Sequence, residues 1–244
     1  MLKALRAAAP ALADRVQALD WEELGEQLDA DGYAMMPALL SREECEALAA
    51  LYADADRFRS RVVMARHGYG KGEYQYFAYP LPEPVAYLRD ALYPPLSEIA
   101  NRWQEALGLD AQFPDDHAAF LKRCHLAGQR RPTPLLLQYG AGDYNCLHQD
   151  LYGDHVFPLQ AALLLSEPGQ DFAGGEFVLT EQRPRMQSRA TVVPLRQGSG
   201  VVFAVNDRPV PGRRGHHRVK MRHGVSRLLS GRRHTLGIIF HDAR

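Results

Sequence analysis

The spacing of apolar residues divides the chain in two. Through the first half they recur every three or four positions, and beyond Pro134 they come in short blocks broken by glycine and proline. The first pattern predicts helices and the second predicts strands. Leu2, Leu5, Leu12, Val16 and Leu19 form a loose N-terminal stripe. Asp20-Trp21-Glu22-Glu23 has the spacing of an N-cap with a capping box and opens a helix running to about Leu28, stopping before Asp31-Gly32. Tyr33 to Met36 is a short buried strand. Ser41-Arg42-Glu43-Glu44 repeats the capping pattern and opens a helix to about Ala55, with its acids placed where the helix dipole favours them. Leu88, Leu92, Leu96, Ile99 and Trp103 predict a helix pair or a long broken helix over 84–107, and Asp116 to about Leu126 is a further helix.

The strand blocks are Leu135–Tyr139, Phe157–Leu165, Gly174–Leu179, Thr191–Val193, Gly200–Val205 and Thr235–Phe240. Many short strands after a helical prelude predict a mainly β fold, a jelly-roll sandwich covered by helices. The Gly- and Tyr-rich stretch 68–77 between the halves has two readings. One is a substrate-facing loop leading into a strand. The other is a hairpin with a packed aromatic face.

A chain of 244 residues suits a single domain. We divide it into a mainly helical region, 1–130, and a β core, 131–244. Met1–Pro10 is too short and leucine-poor for a signal peptide and reads as helix, and no stretch is apolar enough to span a membrane. Three cysteines (Cys45, Cys124 and Cys146), none in a C-x-x-C pair, point to a reducing compartment and a cytoplasmic location. The formal net charge of +0 hides an asymmetry: residues 183–233 carry 13 Lys and Arg against one acid, Asp207. Such a segment suits anionic ligands, a phosphate backbone among them, or is simply a set of solvated loops.

The candidate chemistry begins at His148-Gln149-Asp150. Residues two apart on a strand share a face, so His148 and Asp150 can converge on one ion. Two histidines and one carboxylate with open positions opposite form the ligand set of non-haem Fe(II) oxygenases. The second histidine must come from His155, His216, His217, His223 or His234. His223 is preferred, because Gly224-Val225 follows it and a turn at Ser230-Gly231 then leads to a strand carrying Arg233. Arg233 can grip a carboxylate with its fork, and Thr235 on the same face can add a hydrogen bond. Cys146, two before His148, is expected on the ligand face, as a small buried residue or a fourth ligand. Gln160 faces either the site or solvent. Arg183 and Arg185 suit phosphate, a substrate carboxylate or the open surface, and His216-His217 a basic loop.

Several longer runs carry a resemblance. They are Pro132–Leu137, Leu147–Asp154, Gly174–Phe177 with Glu181–Arg185, Gly231–Gly237, and upstream Tyr74–Pro82. Together they resemble the Fe(II)/2-oxoglutarate dioxygenase superfamily, and more closely a bacterial family of oxygenases expected to act on damaged, alkylated DNA. The resemblance implies a double-stranded β-helix core, with Fe(II) and 2-oxoglutarate as cofactor and co-substrate and O2 as oxidant. It makes His148, Asp150 and His223 the metal ligands, Arg233 the 2-oxoglutarate anchor, and Thr235 and Tyr139 further 2-oxoglutarate contacts. It also implies hydroxylation of a C–H bond with release of succinate and CO2, which on an N-methyl group of DNA ends in loss of formaldehyde. The basic 183–233 segment would then meet the nucleic acid. Other readings are hydroxylation of a protein side chain such as proline, or of a small metabolite. A metal-holding module without turnover is the poorest fit, since it has no use for Arg233.

Overall fold

The computed structural model describes residues 9–110, 112–151, 153–213 and 215–244. The stripe positions Leu2 and Leu5 lie outside them. Helices α1 (Ala9–Gln17) and α2 (Trp21–Asp31) come first. Asp20 caps α2 by accepting from the Glu23 amide, Glu23 itself accepts from Gln27, and Gly32 at φ 76° closes the helix. Strand β1 (Tyr33–Met36) follows, then α3 (Arg42–Ala50). Both bonds of the Ser41/Glu44 capping box are present, and Arg15 of α1 adds two bonds to the Glu44 carboxylate at 2.8 and 2.6 Å. A 3-10 turn at Leu51–Ala53 ends α3 short of the expected Ala55.

Residues 84–107 do not form a pair of helices. They form one helix, α4 (Glu83–Ala106), although Pro94 and Pro95 lie inside it. Two prolines remove two backbone donors, a disruption that ordinarily kinks or breaks a helix. The apolar face holds this one: Leu88, Leu92, Leu96, Ile99, Ala100 and Trp103 are all buried. Helix α5 (His117–Leu126) starts at the Asp116 cap.

The strands form two antiparallel sheets. In chain order they are β2 (Phe58–Val63), β3 (Gly70–Lys71), β4 (Glu73–Phe77), β5 (Leu135–Gly140), β6 (Tyr144–His148), β7 (Leu159–Leu164), β8 (Phe172–Gly174), β9 (Phe177–Gln182), β10 (Arg189–Val193), β11 (Gly200–Ala204), β12 (Asp207–Gly212), β13 (Gly215–Val225) and β14 (Leu228–Ile238). The larger sheet runs β1-β11-β7-β14-β5-β4-β2, with β8 on β14. The smaller runs β10-β9-β13-β6-β3, with β12 on β13. The helical half therefore contributes strands to both edges of the larger sheet. The expected strand 174–179 is two strands, because Gly174 and Gly175 both take positive φ and turn the chain between β8 and β9. Ser230-Gly231 is not a turn but part of β14, paired with β8. His216 and His217 lie in β13, paired with Pro211 and Val210, and not in a loop.

Strand alternation gives the larger sheet two distinct faces. Leu136, Leu163, Val202, Leu236 and Ile238 join the core that contains Leu88, Leu92 and Trp103 of α4. The opposite parity (Leu135, Leu137 and Tyr139 of β5, Gln160 and Ala162 of β7, Phe203 of β11, Arg233, Thr235 and Gly237 of β14) lines a cavity between the sheets.

One buried ion pair ties the helices to the end of β14. Arg89 of α4 donates to the Ile239 and Phe240 carbonyls and to Asp242 at 2.8 Å. Asp242 is fully buried and also takes Tyr79 and His125, at 2.9 and 2.7 Å. Burial alone would raise the Asp242 pKa, but Arg89, His125 and Tyr79 together hold it below its ordinary 3.8. Removing one partner of a buried pair costs roughly 3–5 kcal/mol. Asp242→Asn should therefore lower the unfolding free energy at pH 7 by an amount of that order, measured by urea titration. The wild-type advantage should be complete above pH 3.8 and shrink as pH falls through the lower folded value.

Candidate active site

Antiparallel pairing of β13 with β6 sets His223 directly opposite His148, with ring centroids 4.2 Å apart. Next to that pair the register shifts: Val225 pairs with Asn145, so two steps on β13 match three on β6. The bulge bears on the expectation for Cys146. Alternation is lost between Asn145 and His148, and Cys146 lines the cavity beside the ligands but is exposed, not buried. Its carbonyl still has a local task. It lies 2.8 Å from His148 Nδ1 and can only accept, so Nδ1 carries the proton and Nε2 is left free. Gly224 allows this approach, since a Cβ there would lie 2.7 Å from the Asn145 carbonyl oxygen.

Asp150 stands just past the end of β6, between the two imidazoles. Its carboxylate oxygens lie 3.5 Å from His148 Nε2 and 3.3 Å from His223 Nε2. The ligand atoms of His148, Asp150 and His223 all fall within 4.8 Å of one another, a geometry able to hold one metal ion. Burial opposes the charge on Asp150, yet hydrogen bonds and charge from the two histidines hold its pKa well below 3.8. Burial and the charge of His148 lower the pKa of His223, whose ring packs against Phe203 at 4.7 Å and Phe177 at 6.0 Å. Gln149, between the first two candidates, points elsewhere. It donates to Asn206 Oδ1 at 2.6 Å and to the Met221 carbonyl at 2.8 Å, and so ties the loop to β13. Residue type gave no signal for that clamp.

Across the cavity, Arg233 on β14 pairs in register with Tyr139 on β5. Its guanidinium is 1% exposed and donates to Thr235 Oγ1 at 2.5 Å, with the Tyr139 and Phe172 rings 5.7 and 5.8 Å away. Burial lowers its pKa to about 10, which leaves it charged at neutral pH. Among the described residues no carboxylate lies within ion-pair distance of it, and its Nε has no hydrogen-bond partner. An isolated buried charge is costly unless it is paired, so this fork is built to receive an anion. Burial also raises the Tyr139 pKa, keeping that hydroxyl protonated.

The cavity has a volume of about 380 Å³ and is bounded by both sheets. His148, Asp150, His223, Arg233, Thr235 and Tyr139 all line it, and so does Gln160. The stretch 68–77 is not a hairpin: β3 pairs with β6 in the smaller sheet and β4 with β5 and β2 in the larger, and Tyr69, Tyr74 and Tyr76 line the cavity, as the substrate-facing reading expected. Gly70 makes this possible at φ 128°, where a Cβ would sit 2.4 Å from the Tyr144 carbonyl oxygen. The other histidine candidates lie away from the cavity: His234 bonds Gln138, and the His155 amide bonds Gln129. Arg183 is bound to Glu181 at 2.6 Å, a carboxylate that also holds Arg208, and Arg185 is exposed.

Comparison with known proteins fits this geometry. Residues 72–243 match the family model Oxygenase-NA, described as an oxygenase catalysing oxidative methylation of damaged DNA. An uncharacterized protein of Mycobacterium tuberculosis is 52% identical over 167 residues, 68% of this chain and 72% of its own. A Burkholderia pseudomallei oxidoreductase of the 2OG-Fe(II) oxygenase family shares the fold at TM-score 0.54 and 16% identity, over 93% of this chain and 94% of that one. A Pseudomonas putida prolyl-4-hydroxylase does so at TM-score 0.51 and 16% identity, over 92% and 99%. The chain belongs to the Oxygenase-NA family. It is an oxygenase by that family's description, and it shares the fold of solved 2OG-Fe(II) oxygenases.

A divalent ion bound here should stabilise the fold by mass action, about 2.7 kcal/mol at a hundred times Kd. Mn(II), which does not turn over, should raise Tm in a thermal-shift titration, and Asp150→Ala should abolish the rise.

Proposed function

We propose that this chain is a single dioxygenase domain, a double-stranded β-helix under a helical layer, that oxidises alkylated bases of nucleic acid. The Arg233 guanidinium, buried without a counter-ion among the described residues and opposite a His-Asp-His cluster, is the observation that carries the chemistry. In this reading His148, Asp150 and His223 hold Fe(II) through two Nε2 atoms and a carboxylate, and Arg233 holds the far carboxylate of 2-oxoglutarate. Thr235 accepts from Nη1 and fixes the plane of the fork. Tyr139, held neutral by burial, donates to the same carboxylate. Phe177 and Phe203 pack on His223 and keep water from that side.

When bound, iron and 2-oxoglutarate supply the oxidising step: O2 converts the co-substrate to succinate and CO2 and delivers an oxygen atom to a C–H bond. Hydroxylation of an N-methyl group gives a carbinol that sheds formaldehyde, so the net change is demethylation.

Two features support nucleic acid as substrate beyond the family description. Tyr74 and Tyr76 give the cavity an aromatic wall, and exposed Tyr69, Leu147 and Leu151 flank the ligand motif. A flipped or single-stranded base needs such a surface. The strand that points His223 inward also points Arg218, Lys220 and Arg222 outward, where all three are exposed. Basic side chains on alternate positions suit a phosphate backbone. The free thiols of Cys45, Cys124 and Cys146 support a cytoplasmic setting. Among the described residues no helix is long and apolar enough to cross a membrane.

Arg233→Leu should raise KM for 2-oxoglutarate roughly tenfold to a hundredfold, the range for a lost hydrogen bond to a charged group, as read by succinate formation. Formaldehyde release from methylated single- and double-stranded DNA, run beside peptide and metabolite panels, tests the substrate. Turnover of peptides or metabolites alone would overturn the nucleic-acid reading. With three phosphate contacts, log K for single strands should fall with log salt at a slope of about −2.

A further inference from the structure

Four buried polar atoms on cavity-lining side chains have no hydrogen-bond partner among the described residues: Tyr139 Oη, His223 Nδ1, Arg233 Nε and Gln160 Oε1. The first three belong to side chains already given a role at the metal or the co-substrate. Gln160 has none.

Its position makes the omission notable. Gln160 stands in β7, where every residue from Leu159 to Leu164 is buried and the other five are apolar. It is itself 5% exposed. It shares the inward parity of Ala162, and its cross-strand partner is Phe203, whose ring packs 4.7 Å from the ring of His223. One side chain therefore separates Gln160 from the cluster at which the oxidation is proposed to occur. Burying an amide oxygen without a partner is unfavourable, and leucine or methionine would fill the same space at no such cost. A carboxamide in this strand makes sense if something that enters the cavity supplies the missing partner.

The rest of the wall limits what enters. Tyr74, Tyr76, Leu135 and Ile239 line the same cavity and offer flat or apolar surface. They suit a planar ring, and Gln160 Oε1 then needs an N–H on that ring's edge. Adenine and cytosine present an exocyclic amino group, whereas thymine and uracil present a carbonyl at the corresponding place.

We propose that Gln160 is the specificity-determining residue of the substrate cavity, its Oε1 accepting a hydrogen bond from the exocyclic amino group of a methylated adenine or cytosine. The inference rests on the nucleobase reading above and adds the selection among bases. Gln160 touches neither the metal nor the distal carboxylate of 2-oxoglutarate in this scheme. It turns one edge of the substrate toward β7.

The test uses the full chain loaded with Fe(II) and two single-stranded oligonucleotides. One carries a single 3-methylcytosine and the other a single 3-methyluracil, a pair that differs at the exocyclic group. Formaldehyde release gives kcat/KM for each with wild type, Gln160→Leu and Gln160→Glu, and succinate formation without nucleic acid gives KM for 2-oxoglutarate. Wild type should prefer 3-methylcytosine. Gln160→Leu should cut the ratio of the two kcat/KM values roughly tenfold to a hundredfold, the loss appearing chiefly in KM for the oligonucleotide. Gln160→Glu keeps an acceptor and should restore most of the preference. An unchanged ratio in Gln160→Leu overturns the role of Gln160 and leaves the nucleobase reading standing. So does a raised KM for 2-oxoglutarate in that variant, which would place Gln160 at the co-substrate. Succinate formation by wild type with no formaldehyde from either oligonucleotide would remove the nucleobase reading and this inference with it.

Discussion

The antiparallel pairing of β13 with β6 sets His223 opposite His148, and the rest of the site follows from that register. The two residues are 75 positions apart in sequence (223 − 148), so no local preference brings them together. Side chains alternate along a strand, and a slip of one residue would turn His223 to the surface and push Arg222 into the cavity. The buried inward positions Val219 and Met221 oppose that slip, because it would expose them. Gly224 fixes the place from the other side, since only a residue without a side chain lets the Asn145 carbonyl approach so closely. Asp150 then needs no strand of its own. The chain leaves β6 at His148, and the Gln149 clamp to Asn206 and Met221 holds the carboxylate between the rings.

Arg233 depends on a second register and on the helices behind it. Residues of β14 serve two compartments: Leu236 and Ile238 belong to the helical core, while Arg233, Thr235 and Gly237 line the cavity. Arg89 of α4 binds the carbonyls immediately after β14 and the Asp242 carboxylate beyond them. The far end of the strand that carries the anchor is thus held by a helix that never enters the cavity. The two prolines within α4 are tolerated for the same reason, because the face that meets the sheet is continuous through them.

The sequence showed its chemistry more fully than its topology. His148, Asp150, His223, Arg233, Thr235 and Tyr139 were all legible as candidates, and all reach one cavity. Strands buried on both faces, such as β7 and β11, were plain as apolar runs. Strand β13 was not. Its inward positions alternate with Arg218, Lys220 and Arg222, and the partner strand β12 contains Pro209 and Pro211, so charge and proline imitated a loop. The exposure of Cys146 was not legible because a bulge leaves no mark in a period-two pattern. The split at Gly174-Gly175 was written in the glycines, but glycine in a strand also fits close packing, and only the two positive φ values decide. Gln149 carried no signal of its own, since a clamp made to a backbone carbonyl needs no complementary residue type.

The charges in the cavity are held apart. Asp150 contributes one negative charge and Arg233 one positive, and they belong to different walls with no ion pair between them among the described residues. The registers of β14 and β6 keep them apart, so Asp150 is held by the two imidazoles while Arg233 faces the cavity without a carboxylate partner among the described residues. On the proposed reading a divalent metal meets Asp150 and a dicarboxylate meets Arg233. The sum of one carboxylate, one guanidinium, a dication and a dianion is zero, with both imidazoles neutral. Either guest alone leaves a buried double charge, which a low-dielectric interior disfavours. Each guest therefore strengthens the binding of the other, and the origin of that coupling is the fixed separation of two side chains by their strands.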